Sequence, residues 1–158
     1  MSSQSSVRLG VISDTHGLVR PEAKAALAGC DHILHGGDVT GPEVLEALAT
    51  IAPVTAVRGN NDKGSWARRL SETELVRFGE VCIYVIHDLS QLDLDLAAAG
   101  IDVVVYGHSH TPKIDKRDGV LFVNPGSAGP RRFKLPVSIA ELIIDGGSVA
   151  ARIIDLVP

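Results

Sequence analysis

Between residues 7 and 57 the chain alternates short apolar runs rich in β-formers with stretches of helical spacing. Val7 to Ile12 reads as a strand. Pro21 to Ala28 reads as a helix, with proline near its start, where a missing N–H costs nothing. His32 to Leu34 is a second short strand. After a glycine turn, Pro42 to Ala49 sets Val44, Leu45 and Leu48 on one helical face, and Pro53 to Val57 is a third strand. This β-α-β-α-β order with short connections predicts a parallel sheet with covering helices. Beyond residue 70 the rhythm changes. Glu74 to Phe78 and Val81 to Ile86 flank Gly79-Glu80 as a hairpin would. Leu92 to Ala99 follows as a predicted helix closed by Gly100, and Val103 to Tyr106 as an apolar strand. Lys113 to Lys116, Val120 to Val123, Val137 to Ile144 and Val149 to Ile154 read as consecutive strands, with turns at Asp118-Gly119 and Gly146-Gly147. The β-rich C-terminal part predicts a second sheet stacked on the first. The expected fold is α/β, two stacked mixed sheets flanked by helices. It forms a single domain over residues 7–158, with the polar stretch Met1 to Ser6 as a disordered end.

Composition narrows the classes without choosing among them. A chain of 158 residues with 45% apolar and 22% charged residues can bury a real core. Its net charge of -4 and aromatic content of 4% argue against a nucleic-acid grip built on a basic surface and stacked bases. Cys30 and Cys82 lack metal or redox spacing and read as two buried thiols of a cytoplasmic protein. No apolar stretch approaches the roughly 20 residues that cross a bilayer, and the first residues lack the basic and apolar regions of a signal peptide. No membrane association is expected.

The chemistry stands at the strand ends. Asp14-Thr15-His16 follows the first strand, Gly36-Gly37-Asp38 the second and Gly59-Asn60-Asn61-Asp62 the third. His87 ends the strand from Val81, and Gly107-His108-Ser109-His110 follows the strand from Val103. Taken singly, each has an ordinary explanation: Asp14 as a helix cap, Asp38 and Asn60 as turn residues, the histidines as surface or core residues. Together they occupy five equivalent places, and the loops beyond the carboxyl ends of an open sheet converge on one rim. Carboxylate, amide oxygen and imidazole form a donor set suited to manganese, iron, zinc or a similar ion, and no thiolate is among them. Asp14 and His16 can reach one ion from an extended turn; His108 and His110 can share an ion or serve neighbouring ones. A carboxylate such as Asp38 can bridge two ions about 3.5–4 Å apart, which lowers the pKa of a bound water to roughly 7 and supplies hydroxide for in-line attack on phosphorus.

The set Asp14-x-His16, Gly37-Asp38, Gly59-Asn60-x-Asp62, His87 and Gly107-His108-x-His110 resembles the calcineurin-like metallophosphoesterases. Within them it is similar to the small bacterial and archaeal phosphodiesterases of the YfcE type. The resemblance runs from about Val7 to the end and includes Asn124-Pro125-Gly126-Ser127. It implies the two-sheet sandwich and two divalent ions, with Mn2+ the commonest activator and iron, nickel, zinc or magnesium as alternatives. One ion is implied on Asp14, His16, Asp38 and His110, the other on Asp38, Asn60, His87 and His108, with Asp38, Asn60 and His108 carrying catalysis. It further implies a small phosphate-ester substrate, a diester in this subfamily, and homo-oligomers, either dimers or tetramers.

Two positions depart from the family. Larger members place His after the metal-binding Asn and the small subfamily often has Cys there; this chain has Asn61, which cannot act as a general acid. His87 is commonly followed by Gly and here by Asp88, which a helix cap would explain. Asp62 is a candidate to orient Asn61 or a ligand. Arg131 and Arg132, with Lys134, form a basic stretch that would suit an anionic substrate, a solvated loop or an oligomer contact. His35 is expected in the core or behind the ligands. Two other functions fit the same residues: a metal-binding scaffold without catalysis, like some eukaryotic relatives that bind protein partners, and a phosphomonoesterase or nucleotidase.

Overall fold

The computed structural model describes residues 6–132 and 134–157, so most of the expected disordered end lies outside the described residues. Among these the chain forms ten strands in two five-stranded sheets. The first has the order β10-β9-β1-β2-β3 and the second β4-β5-β6-β8-β7. β1 (Val7–Ile12), β2 (His32–His35) and β3 (Val54–Ala56) pair in parallel. The crossovers between them carry α1 (Pro21–Leu27) and α2 (Pro42–Ala49), both opened by proline. In the second sheet β4 (Thr73–Phe78) and β5 (Val81–Ile86) form the expected hairpin. Next to β5 lies β6 (Val103–Val105), which pairs in parallel with β8 (Val120–Asn124), and β7 (Lys113–Arg117) closes the edge.

Two expectations are corrected. The last strands, β9 (Ser138–Asp145) and β10 (Ser148–Asp155), do not extend the second sheet; β9 returns to pair antiparallel with β1. The reason is visible in burial: seven of the eight β9 residues are buried or half-buried in the pattern BBBBBiBe, as suits a strand covered on both faces. The helix expected over Leu92–Ala99 is reduced to α3 (Leu96–Ala99), preceded by a 3-10 turn over Leu89–Gln91. Asp95 accepts a hydrogen bond from the Ala98 N–H and so starts the helix late, the cap geometry that aspartate favours over a helix interior.

Three apolar layers hold this together. Leu9, Val11 and Leu142 of the first sheet meet Ile83, Val105 and Val123 of the second in the central layer. Leu27, Val44 and Leu48 pack the helices on the outer face of the first sheet with Ile12 and Ile33. Cys82, Val104 and Phe122 form the outer layer of the second sheet. No helix among the described residues is long and apolar enough to cross a membrane.

Candidate metal centre

The parallel strands β1, β2 and β3, with β5 and β6, deliver their C-terminal loops to one rim, as the sequence predicts. The loops are tight. Asp14, His16, Asp38, His108 and His110 have φ of 53°, 47°, 55°, 73° and 62°, in the left-handed region that aspartate and histidine tolerate better than most residues but still at a cost. Glycine is required where the loops touch. A Cβ on Gly107 would stand 2.2 Å from Ser13 Oγ and 2.6 Å from Asp14 Oδ2, and one on Gly37, at φ 101°, 2.7 Å from His87 Nδ1.

Asp14 is fully buried. Its Oδ2 accepts hydrogen bonds from Ser13 Oγ (2.7 Å) and the His108 N–H (3.1 Å). Its Oδ1 faces His110 Nε2 at 3.4 Å, His16 Nε2 at 3.9 Å and His87 Nε2 at 4.0 Å. Asp38 Oδ2 lies 3.5 Å from His87 Nε2 and 3.7 Å from His16 Nε2, so this carboxylate stands between the two histidines. His87 Nδ1 lies 2.7 Å from the Gly36 carbonyl, which can only accept; the proton therefore sits on Nδ1 of the neutral ring and Nε2 turns its lone pair into the site.

Two groups of donors lie close enough to hold an ion: Asp14, His16 and His110, and Asp14, Asp38 and His87. The donor chemistry fits a divalent cation, and so does a further sign. Asp14 Oδ1 and His16 Nε2, which face each other at 3.9 Å, are buried atoms without a hydrogen-bond partner. Such atoms cost about 1–3 kcal/mol each unless something satisfies them. The electrostatics suit a cation too. Burial would raise the Asp14 carboxyl, but the His110 imidazole 3.4 Å away and the charge of His87 prevail and hold it below its ordinary value. Burial likewise opposes ionisation of Asp38, yet its contacts with His87 and Asn61 keep it strongly depressed. Burial pushes His16 down, towards the neutral form that binds metal. For His87 burial acts downward too, but Asp38 and Asp14 outweigh it and raise its pKa.

Asn60 Oδ1 sits 3.0 Å from His87 Nε2 and 3.2 Å from His108 Nδ1, which brings these three residues together. His108 is at the mouth of the site, its side chain 48% exposed and its Nε2 3.9 Å from Asp88. Asn61 donates twice to Asp38, from its backbone N–H to Oδ1 and from Nδ2 to Oδ2, both 2.9 Å, and so aims that carboxylate. Among the described residues, Asp62 directs its side-chain hydrogen bonds to backbone and not to a candidate ligand. It accepts from the Thr40 N–H (2.7 Å) and the Gly59 N–H (2.8 Å), tying the second loop to the third, because its carboxylate turns back under the loop. Asp88 caps the 3-10 turn through Ser90. Arg131 donates to the Val157 carbonyl (2.8 Å), whereas Arg132 is exposed with its charge in range of His16.

Among the supporting residues, Ser13 was not singled out in the sequence, and Asn124 and Ser127 stood in the quoted Asn124-Pro125-Gly126-Ser127 stretch without a role. Ser13 fixes Asp14, and Ser127 donates to the Asp14 carbonyl (2.9 Å). Asn124 donates to the Gly107 carbonyl and to Ser109 Oγ. The signal was present in the polar residues that interrupt buried apolar runs. His35 is in the core as expected, and it also links two loops. The Gly37 N–H donates to its Nδ1 (3.0 Å), so its proton is on Nε2 and is donated to Thr15 Oγ1 (3.0 Å).

With the site described, its kinship can be stated. The calcineurin-like phosphoesterase superfamily domain matches residues 7–147, and the chain belongs to that family of metallophosphoesterases. A probable metallophosphoesterase of Methanothermobacter thermautotrophicus is 39% identical over 157 residues, spanning 92% of this chain and 91% of the relative. A phosphodiesterase of Methanocaldococcus jannaschii is 27% identical over 139 residues, 76% of this chain and 83% of that one. Among solved structures, vacuolar protein sorting 29 from Cryptosporidium parvum superposes with a TM-score of 0.82 over 96% of this chain and 92% of its own, at 23% identity, a likeness of fold.

Proposed function

We propose that the protein hydrolyses phosphodiesters at a binuclear metal centre on this rim. The observation that carries the reading is the pair of buried, unpartnered atoms Asp14 Oδ1 and His16 Nε2 beside the Asp38–His87 pair, with His110 Nε2 3.4 Å from Asp14 Oδ1. The similarity to an archaeal phosphodiesterase supports the diester class. Asp14, His16 and His110 are the residues that would hold one ion, and Asn60, His87 and His108 the other, with Asp38 between them. When bound, two divalent ions, manganese first among the candidates, would supply an activated water and offset charge on the phosphate oxygens. The chain's own part is positioning: Asn61 aims Asp38, Ser13 fixes Asp14, and the Gly36 carbonyl holds His87 in the tautomer that presents Nε2. His108, exposed at the mouth, is the side chain of the set best placed to meet a substrate oxygen.

Asn61 carries no proton it can transfer, so leaving groups that depart unaided are favoured, and aryl diesters will outrun alkyl ones. The His variant at this position (Asn61→His) should raise the alkyl-to-aryl ratio of kcat/KM; an unchanged ratio would remove this role. The reading places the activity in one domain from Val7 onward, in the cytoplasm. The free and buried Cys30 and Cys82 suit a reducing compartment.

The deciding experiment is hydrolysis of an aryl phosphodiester and the matching monoester by metal-stripped protein before and after manganese, with Asp38→Asn and His108→Ala in parallel. Metal-restored diester turnover that falls at least a hundredfold in both variants is expected. Monoester turnover of equal or greater efficiency would move the assignment to a phosphomonoesterase. No turnover with any metal, from a folded protein, would leave a scaffold.

A further inference from the structure

A cleft of about 310 Å³ opens beside Asn60 and His87, lined by Arg58, Thr73, Tyr84, Ile86 and Gln91 together with Glu72, Asp88 and Asp93. It lies at the small end of ligand sites, which run from about 300 to 1,000 Å³, so it accommodates a single group of about nucleoside size and not a polymer. Its wall is amphipathic: half-buried Tyr84 and buried Ile86 give an apolar face, and Thr73, Gln91 and the Tyr84 hydroxyl offer donors and acceptors.

Its charge excludes one class of ligand. Among the described lining residues Arg58 is the single arginine or lysine, and it is already paired with Glu72 at 3.2 Å. Asp88 and Asp93 remain. Asp88 accepts hydrogen bonds from the Ser90 N–H (3.0 Å) and Oγ (2.7 Å), and Asp93 is exposed at the rim. A phosphate or carboxylate entering here would meet two carboxylates and no free cation, and like charges in apposition are a strong means of rejecting a ligand. The exposed cation near the site, Arg132, is in the field of His16 and does not line the cleft.

We infer that this cleft is a specificity site that receives one alcohol arm of the phosphodiester, an uncharged ring-bearing alcohol of nucleoside size, and rejects arms that carry a further phosphate. The inference rests on the phosphodiesterase reading for the position of the phosphate, at the Asn60 and His87 end. The cleft thus assigns recognition to Tyr84 and Gln91 and discrimination to Asp88 and Asp93.

Three esters sharing a p-nitrophenyl group test this: the methyl diester, the thymidine 5′-diester, and the thymidine 5′-diester bearing an added 3′-phosphate. Manganese-loaded wild type should favour thymidine over methyl at least tenfold in kcat/KM, and the 3′-phosphate should cancel most of that gain. Tyr84→Ala should cut the thymidine-to-methyl ratio at least fivefold through KM. Asp93→Lys, a surface change that leaves the core untouched, should recover the 3′-phosphate ester relative to thymidine by a similar factor. Binding of free thymidine, followed by saturation-transfer NMR, needs no turnover; it should occur in wild type and weaken in Tyr84→Ala. Equal ratios in all proteins, or thymidine that does not bind, would overturn the cleft while leaving the phosphodiesterase intact. Thymidine binding without turnover of any ester would keep the cleft and overturn the phosphodiesterase.

Discussion

His35 is one buried side chain that ties two loops of the site together, through Thr15 and Gly37. Burial holds its pKa at about 4, against an ordinary 6.5, so the folded protein keeps it neutral while the unfolded chain takes up a proton. A depressed folded-state value means that the stabilising contribution is complete above pH 6.5 and is lost as pH falls from there towards 4; the full difference is roughly 2–4 kcal/mol. Urea unfolding of wild type and His35→Asn should therefore show a gap at pH 7 that narrows at pH 5, and a gap independent of pH would refute this account. The two amide replacements separate its links. Asn retains an acceptor for the Gly37 N–H, and Gln places a donor near Thr15. If the ring aligns the loops, both variants will bind manganese more weakly, by about tenfold, as second-sphere partners of metal sites do. Metal titration of the unreacting protein reads this directly. The candidate donors at this scale were legible, since Asp14, Asp38 and the paired histidines advertise themselves by spacing. The tautomer of His35 and the backward turn of Asp62 were not, because both depend on which backbone N–H lies across a loop.

Among the elements, β9 is the one on which the arrangement turns. Its Glu141 lies opposite Arg152 of β10 and near Arg8 of β1, accepting from Arg152 Nε at 2.8 Å and from Arg8 Nε. The hydrogen bond from Arg152, then that from Arg8, lowers the Glu141 pKa below its ordinary 4.5. This stability is present above pH 4.5 and disappears as pH falls through the lower folded-state value. Glu141→Gln should cost about 1–2 kcal/mol at neutral pH, at the modest end for a charged hydrogen bond because Arg152 is largely solvated. The deficit should shrink steadily in chemical denaturation as pH falls below 4.5; a deficit independent of pH would point to packing instead. Strand positions were readable from apolar runs almost to the residue, as for Val7–Ile12 and Val81–Ile86. Partnership was not. Nothing in the local pattern of β9 says that it returns to β1 across more than a hundred residues, and only its burial on both faces records it. The helix over Leu92–Ala99 was overread for a local reason: Asp93 and Asp95 favour caps over helix interiors.

At the scale of the molecule, two sheets clasp a dry apolar layer and present their loops at one end, so the scaffold bears the cost of an arrangement the loops would not hold alone. A metal that binds only the folded form must raise its stability, by about 2.7 kcal/mol at a hundredfold excess over its Kd. Manganese should thus shift the thermal midpoint of wild type upward by several degrees and leave that of Asp38→Asn almost unmoved. An equal shift in both proteins would place the ion elsewhere. Two of the residues that carry left-handed backbone, His16 and His108, sit where solvent can reach them. Glycine relieves such a conformation, worth about 1–2 kcal/mol per residue. A library selected for heat tolerance alone would therefore drift towards glycine at these places, and on the proposed metal centre the hardiest survivors would be inert. Breeding this protein for durability requires that every round also be scored for what it does.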